Sequence, residues 1–576
     1  MNMDKTTAAF LLSSLLERIE RDGAAGSVSS HEKTALSLAI GLLGSGAANE
    51  AAPKSHVQTG SVSSGTADLT KNQPDLQVKA EIAQKLPKPT TPALIDVELN
   101  LASIGERVQM NDGWLLCLDF GTAMSKAFAS AGRNKHLDLE LGAAAGQSGF
   151  TLPSSVFISD AGRVFFGFEA IEKSEGLLET GRERLDSIKE WLSLRIEGDL
   201  DGDSSVLQAS MNPTRYRVTQ GDLIRIYLAY LTDMAESAME HRGVDQARHV
   251  QRRFARPCWS DPKQTEWVDR EMRKMLADAQ ILADTFNGRW QAGVPVQEFV
   301  SALSQIKKLP TKPVHLIQDG VPEAVAVAAG AFAETENRRD AFMVVDVGAG
   351  TTDFGLFVSI KKSDDDEDVK VFQVPGSIQG MKQAGNTVDR LLRGYILKKE
   401  SVDTSDMAGK MIVGKLSSGI RGLKEALFKT GRLEYVLADG TAGAITQSEF
   451  LDDTNVKKFS EAVAAGFKKS LLDIDQSYLN WLGMEGVRLH VVVTGGGAQL
   501  PMMQSLSHGM VEINGHKIVR EAVNSMPVWM EDESDELKTV YPQLAVAVGG
   551  AEEHMPETLN GPAVFGGGVR RPTYVI

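Results

Sequence analysis

The sequence predicts an α/β protein built of two related halves. A strand, a tight acidic glycine turn and a returning strand occur twice, and long helical patterns follow each occurrence. In the first, the apolar run 114–118 ends in Asp119, Phe120, Gly121 and Thr122, and 127–129 returns. In the second, 342–345 ends in Asp346, Val347, Gly348, Ala349, Gly350, Thr351, Thr352 and Asp353, and 354–360 returns. Apolar spacing predicts helices over 221–239 and 264–286 in the first half, and over 388–397 and 456–482 in the second. A third glycine cluster follows the β-branched run 489–493: Thr494, Gly495, Gly496, Gly497, Ala498, Gln499 and Leu500, with a helix expected from Pro501.

Composition narrows the class. At 576 residues the chain is long enough for several structural units, and 42% hydrophobic with 24% charged residues is a globular mix. The net charge of −15 disfavours nucleic acid and anionic membrane as partners. Cys117 and Cys258 are too few for a disulfide framework or a cysteine-rich zinc site, which fits a reducing cytoplasm. No apolar run approaches the roughly 18 to 20 residues of a membrane-spanning helix. Glu17, Arg18, Glu20 and Arg21 follow the apolar run 8–16 where a signal peptide would carry small residues, so a cytoplasmic location is expected.

Residues 1–44 read as a helical hairpin, with Leu11, Leu12, Leu15, Leu16 and Ile19 on one segment and Leu36, Leu38, Ile40, Leu42 and Leu43 on the other. A self-packing tether and a partner-docking or oligomerisation element are both open for it. An Ala, Gly, Ser, Thr, Lys and Pro-rich composition begins at 45, and a flexible linker is expected over 45–110. The halves are placed at 111–338 and 339–556, with a tail over 557–576. The acidic stretch 363–368 reads as a solvated loop.

The glycine turns suggest phosphate chemistry. Without a Cβ, successive glycine N–H groups approach phosphate oxygens closely, and Thr351 adds a hydroxyl. Asp119 and Asp346 are then placed to hold Mg²⁺, which keeps most of its waters and takes only one or two carboxylates. The alternative is that both turns use Asp and Gly for geometry alone. The common phosphate loop is absent, since Gly409-Lys410 and Gly414-Lys415 are followed by Met411 and Leu416, and no G-x-G-x-x-G opens a helix after a strand.

Taken together, these motifs resemble the 70-kDa heat-shock chaperone family, within the actin-like ATPase superfamily, over about 115–551. Asp119 to Thr122 is similar to its first phosphate motif, Asp346 to Asp353 to its second, and 492–501 to its adenosine motif. Residues 322–330 and 545–550 are similar to its two connecting helices. Smaller echoes are 152–156, the turn from Gly385 to Asp389, and 188–192. The resemblance implies an actin-like ATPase fold, two related ribonuclease H-like halves around a nucleotide cleft, with ATP or ADP and Mg²⁺ as ligands. It implies Asp119 and Asp346 at the metal, and Gly121, Thr122, Gly348, Ala349, Gly350, Thr351 and Thr352 at the phosphates. Lys189 would contact the γ-phosphate, with Asp119, Asp346 and Thr351 completing the catalytic set. Lys424, Gly495, Gly496, Gly497 and Gln499 would hold the nucleoside.

The chain departs from the family pattern in three places. The glutamate of the first connecting motif falls on Val321, leaving Gln318, Asp319 and Glu323 as displaced candidates for orienting the water. The adenine-stacking arginine falls on Gln499, and the acidic partner upstream of Lys424 falls on Arg421. Only a short stretch follows Gly550, so the family's peptide-binding domain and helical lid are expected to be missing. The expected function is a chaperone-like, nucleotide-driven switch with slow Mg²⁺-dependent ATP hydrolysis, acting on a protein partner or co-chaperone, with self-association left open. A filament-forming actin-like ATPase, a small-molecule kinase and a non-hydrolysing nucleotide-sensing scaffold are the alternatives.

Overall fold

Each acidic glycine turn closes an antiparallel hairpin, as the apolar runs on either side of it require. The computed structural model describes residues 92–559 except 106–110, 133–134, 178–180, 195–197, 260, 333–338 and 362–368. The chain divides between Lys88 and Pro89, and every described residue falls in the second unit. The expected hairpin at 1–44, the linker before 92, the acidic stretch 363–368 and the tail beyond 559 lie outside the described residues.

The first sheet runs from β1 (Asn111–Asp119) antiparallel to β2 (Met124–Ser130), and from there to β3 (His136–Asp138). On its other side β1 pairs parallel with β4 (Val250–Arg256), and β4 with β5 (Val321–Pro322). The second sheet repeats this order and these directions. There β6 (Arg339–Val347), β7 (Thr352–Lys361) and β8 (Val369–Gln373) form the meander, and β9 (Leu489–Thr494) and β10 (His516–Ala522) continue in parallel from β6. The chain is therefore mixed α/β with an internal repeat of strand order. Glu557–Thr558, expected to begin a tail, instead adds a short parallel strand to β8.

The long helices start where local chemistry permits. α1 (Gln220–His241) opens with a capping box, in which Thr219 Oγ1 accepts the Asp222 N–H at 3.1 Å and the Asp222 carboxylate accepts the Thr219 N–H at 3.0 Å. α2 (Pro262–Phe286) has proline in its first turn and Asp261 as its cap. α3 (Val296–Ile306) and α4 (Glu323–Ala331) follow in the first half. The second half carries α5 (Gly385–Lys399), α6 (Met407–Thr430), α7 (Thr454–Leu472), α8 (Gln476–Leu482) and α9 (Asp535–Gly550).

Three expectations need correction. The helix expected over 456–482 is two helices, because the Asp475 side chain accepts the Ser477 N–H and caps a new start. The helix α6 was not anticipated: Gly409, Gly414, Gly419 and Gly422 depress helix propensity by up to about 1 kcal/mol each. It forms because Ile412, Leu416, Ile420 and Leu427 bury one apolar stripe. The expected linker ends by residue 92, since 92–105 straps across α2 and α3. There the Ile95 N–H donates to Ser301 Oγ at 3.1 Å, the Asn100 N–H donates to Thr285 Oγ1 at 3.1 Å, and Val97, Leu99 and Ile104 join the core. No described helix is long and apolar enough to cross a membrane.

A division at 338/339 separates the chain but not the packing. One apolar core belongs to each sheet, and a third is shared, joining Cys117 and Phe128 of the first sheet to Phe342, Val344 and Phe357 of the second. The connecting helices exchange partners: α4 packs on β6 and β7, α9 packs on β1 and β2, and the two helices pack on each other. They cross at glycines. A Cβ on Gly549 would fall 1.8 Å from the Ala326 carbonyl oxygen, so nothing larger fits at this crossing. Gly549→Ala is therefore expected to lower stability by at least about 2 kcal/mol in denaturant unfolding, and a change below about 0.5 kcal/mol would contradict the crossing.

Candidate functional site

Parallel pairing places the ends of neighbouring strands side by side, and Asp346 lies in register with Thr494. The second and third glycine turns therefore emerge together, at the carboxyl ends where open α/β sheets take ligands. The first turn comes from the other sheet and meets them. A Cβ on Gly350 would stand 2.7 Å from Thr122 Oγ1, so the two hairpin turns approach to side-chain contact. Between them opens a cavity of about 600 Å³.

The cavity is lined by Asp119, Gly121, Thr122, Lys189, Asp346, Gly348, Ala349, Gly350, Thr351, Lys424, Gly495, Gly496, Gly497 and Gln499. Of the residues expected at the site, Thr352 alone is not in the lining: it is buried, and its hydroxyl donates to the Gln383 carbonyl at 2.9 Å. Of the three displaced candidates, Glu323 reaches the cavity. Gln318 bonds to Gln251 and Asp319 pairs with Arg273 beside a separate cavity of about 520 Å³. Val321 is buried in the shared core.

Backbone bonds fasten each turn from behind. The Gly348 N–H donates to the Thr351 carbonyl at 2.9 Å. The start of α5 supports the same loop through Gly385 N–H to the Gly348 carbonyl at 3.2 Å and Asn386 N–H to the Ala349 carbonyl at 2.8 Å. Gly495 has φ +87°, a region that favours glycine, and a Cβ there would fall 2.5 Å from the Val347 carbonyl oxygen. Its N–H and the Thr494 hydroxyl both donate to the Pro542 carbonyl of α9, at 2.7 and 2.9 Å.

The cross-strand partners of the two aspartates differ in sign. In the first hairpin Asp119 lies opposite Lys126, and the two pair at 3.0 Å. In the second, Asp346 lies opposite Asp353. The glutamate at the start of α4 adds to this pair, and Glu323, Asp346 and Asp353 bring carboxylate oxygens within 4.8 Å of one another, all three buried. Lys189, capping the single-turn helix Glu190–Ser193, answers with an ion pair to Glu323 at 2.6 Å.

The two aspartates and the lysine are shifted from their ordinary values. Burial, and then Glu323 and Asp119, push the Asp346 carboxyl up to about 7. Burial, followed by Glu323 and Asp346, pushes Asp353 well above the usual carboxylate range. Burial opposes the charge on Lys189, but Glu323 and Asp119 outweigh it and hold the ammonium above its ordinary value. Asp353 Oδ1 accepts the Cys258 N–H at 2.6 Å, while Oδ2 is buried with no hydrogen-bond partner among the described residues.

Sequence reasoning missed several parts of this site. Asp353 was legible in principle, since the hairpin register sets it across from Asp346. Lys126 follows from the same rule in the first hairpin. Glu425, Phe428 and Lys429 of α6, and Gln543 and Val546 of α9, also line the cavity, and no short motif announces them. Beside the cavity Asn386 Nδ2 donates to Glu190 Oε1 at 2.8 Å, linking the two halves. The chain matches no protein-family model, and no curated protein is significantly similar to it in sequence.

The titration has a sign that can be measured. Asp346 holds its proton up to about 7 in the folded state, whereas an unfolded aspartate releases it near about 3.9. The native state thus carries the extra proton between these values, and its stability falls as pH rises through the window. In chelator, the stability gained by Asp346→Asn over the unmodified chain is expected to grow by at least about 1 kcal/mol from pH 4 to pH 7. Urea unfolding across that range checks it, and a flat difference would contradict the crowded carboxylates.

Proposed function

We propose that the chain is a nucleotide-driven conformational switch of the chaperone kind, with an actin-like ATPase fold, that binds ATP with Mg²⁺ and hydrolyses it slowly. One observation carries this reading: two Asp-Gly hairpin turns from separate sheets face each other across one cavity of about 600 Å³. The shared strand order of the two sheets supports two related ribonuclease H-like halves. The volume suits a nucleotide-sized ligand, since such sites run from roughly 300 to 1,000 Å³.

The donor set fits a divalent cation. Three buried carboxylates share one ion-paired lysine, and one buried carboxylate oxygen has no partner among the described residues. Asp119 and Asp346 would hold Mg²⁺, which when bound offsets the negative charge of the phosphates. The glycine turns supply N–H donors along the phosphate chain, and Thr122 and Thr351 add hydroxyls. Lys189 reaches the terminal phosphoryl group. Glu323 would accept a hydrogen bond from the water whose oxygen bonds to that phosphorus as the bond to the ADP oxygen breaks, and the water's proton leaves with the phosphate formed. Glu323, which lines the cavity, would thus take the part left vacant by Val321.

Conversion of ATP to ADP removes a group that both turns touch, so the closure of the two halves differs between the nucleotides. A protein partner reads that difference. The cross-over of α4 and α9 between the sheets ties any movement at the turns to the shared core.

Calorimetry with Mg·ATP and Mg·ADP, followed by a turnover assay on the same sample, tests the reading. Asp346→Ala is expected to lower turnover at least about a hundredfold, equivalent to about 2.7 kcal/mol. Glu323→Gln is expected to slow turnover at least about tenfold while changing ATP affinity less than about threefold. Absence of heat and of turnover in the unmodified chain at millimolar nucleotide would end the proposal.

A further inference from the structure

We infer that Asn386 is a positioning residue for turnover: through Glu190 it sets Lys189, carried by the first half, against the second glycine turn. The inference rests on the nucleotide reading and deepens it. Asn386 is the second residue of α5, and its backbone N–H is one of the donors that a helix start leaves without an intrahelical partner. It donates to the Ala349 carbonyl at 2.8 Å, beside the bond from the Gly385 N–H to the Gly348 carbonyl. The second turn is thereby fastened to the start of α5, main chain to main chain.

The side chain of Asn386 is engaged elsewhere. Its Nδ2 donates to Glu190 Oε1 at 2.8 Å and lies 3.3 Å from Ser187 Oγ, both in the first half. A carboxylate accepts but does not donate, so the amide nitrogen, and not its oxygen, faces Glu190. A donor aimed at a charged acceptor makes one of the stronger hydrogen bonds. One residue therefore holds the phosphate turn with its backbone and the opposite half with its amide.

The segment it grips carries Lys189. Ile188 and Leu192 are buried in the first core, and the Glu190 and Leu192 N–H groups donate to the Ser187 and Lys189 carbonyls at 2.9 and 3.0 Å. Ser187, Lys189 and Glu190 thus belong to one tightly bonded turn, and fixing Glu190 fixes Lys189. The ion pair with Glu323 ties the ammonium to the start of α4, whereas the bond from Asn386 ties its backbone to the turn that would meet the phosphates. A misplacement of about 1 Å at a reacting group can cost about a hundredfold in rate. ADP lacks the terminal phosphoryl group, so the same misplacement leaves ADP binding nearly untouched, and that split separates positioning from general damage to the site.

Turnover of Mg·ATP and calorimetry with Mg·ADP on the full chain test the inference. Asn386→Leu, which keeps the backbone donor and removes the amide, is expected to slow turnover at least about tenfold while changing ADP affinity less than about threefold. Glu190→Leu, made from the other side, is expected to do the same. The double variant is expected to be no more than about threefold slower than the slower single one, because both changes remove one bond. Glu190→Gln, which still accepts that bond, is expected to turn over within about threefold of the unmodified chain, with thermal melts confirming that the variants are folded. Undiminished turnover in Asn386→Leu would overturn the inference and leave the nucleotide reading standing. Losses that multiply in the double variant, ADP affinity that falls in step with turnover, or ADP bound by an unmodified chain that does not hydrolyse ATP would overturn it too. An unmodified chain that neither binds nor hydrolyses nucleotide would overturn both.

Discussion

The crowding of Glu323, Asp346 and Asp353 around Lys189 is the constraint on which the rest of the site depends. Burial first, and then the neighbouring carboxylates, push both aspartates upward, so three such acids cannot all be charged against one ammonium without cost. Such an arrangement weakens the folded chain and persists only where something else gains from it. A cation in the adjoining cavity would relieve it, and under the proposed function the phosphates would bring one.

The three acids come from different places, which ties the site to the whole fold. Asp346 and Asp353 belong to one hairpin of the second sheet, while Glu323 begins a helix that follows the last strand of the first. Glu323 reaches the others because α4 leaves its own sheet and packs on β6 and β7. The glycine crossing with α9 permits that exchange, and α9 in turn fixes the third glycine turn through the Pro542 carbonyl. A change at the crossing would therefore disturb acids and turns together.

What the sequence revealed follows from how short-range each requirement is. The turns were legible because a Cβ has little room there, meeting the Val347 carbonyl at Gly495 and the Thr122 side chain at Gly350, and glycine leaves a visible trace. The hairpins on either side, and helices α1 and α2, followed from apolar patterning and are seen close to the expected bounds. The helix α6 was not legible, although Lys424 was expected at the site: its glycines argue against a helix, and only tertiary burial of Ile412, Leu416 and Ile420 overrides them. Nothing near Phe428 or Gln543 in sequence signals that they border the same cavity. Thr352 sits inside the motif, yet strand alternation turns its side chain toward Gln383.

A crystal structure of the chain soaked with Mg²⁺ and a non-hydrolysable ATP analogue tests the central claim most directly. Phosphate density is expected between the turns at 119–122 and 346–351, with the cation beside Asp119 and Asp346. Ordered analogue bound elsewhere on the chain, with the space between these turns filled only by water at saturating ligand, would contradict it.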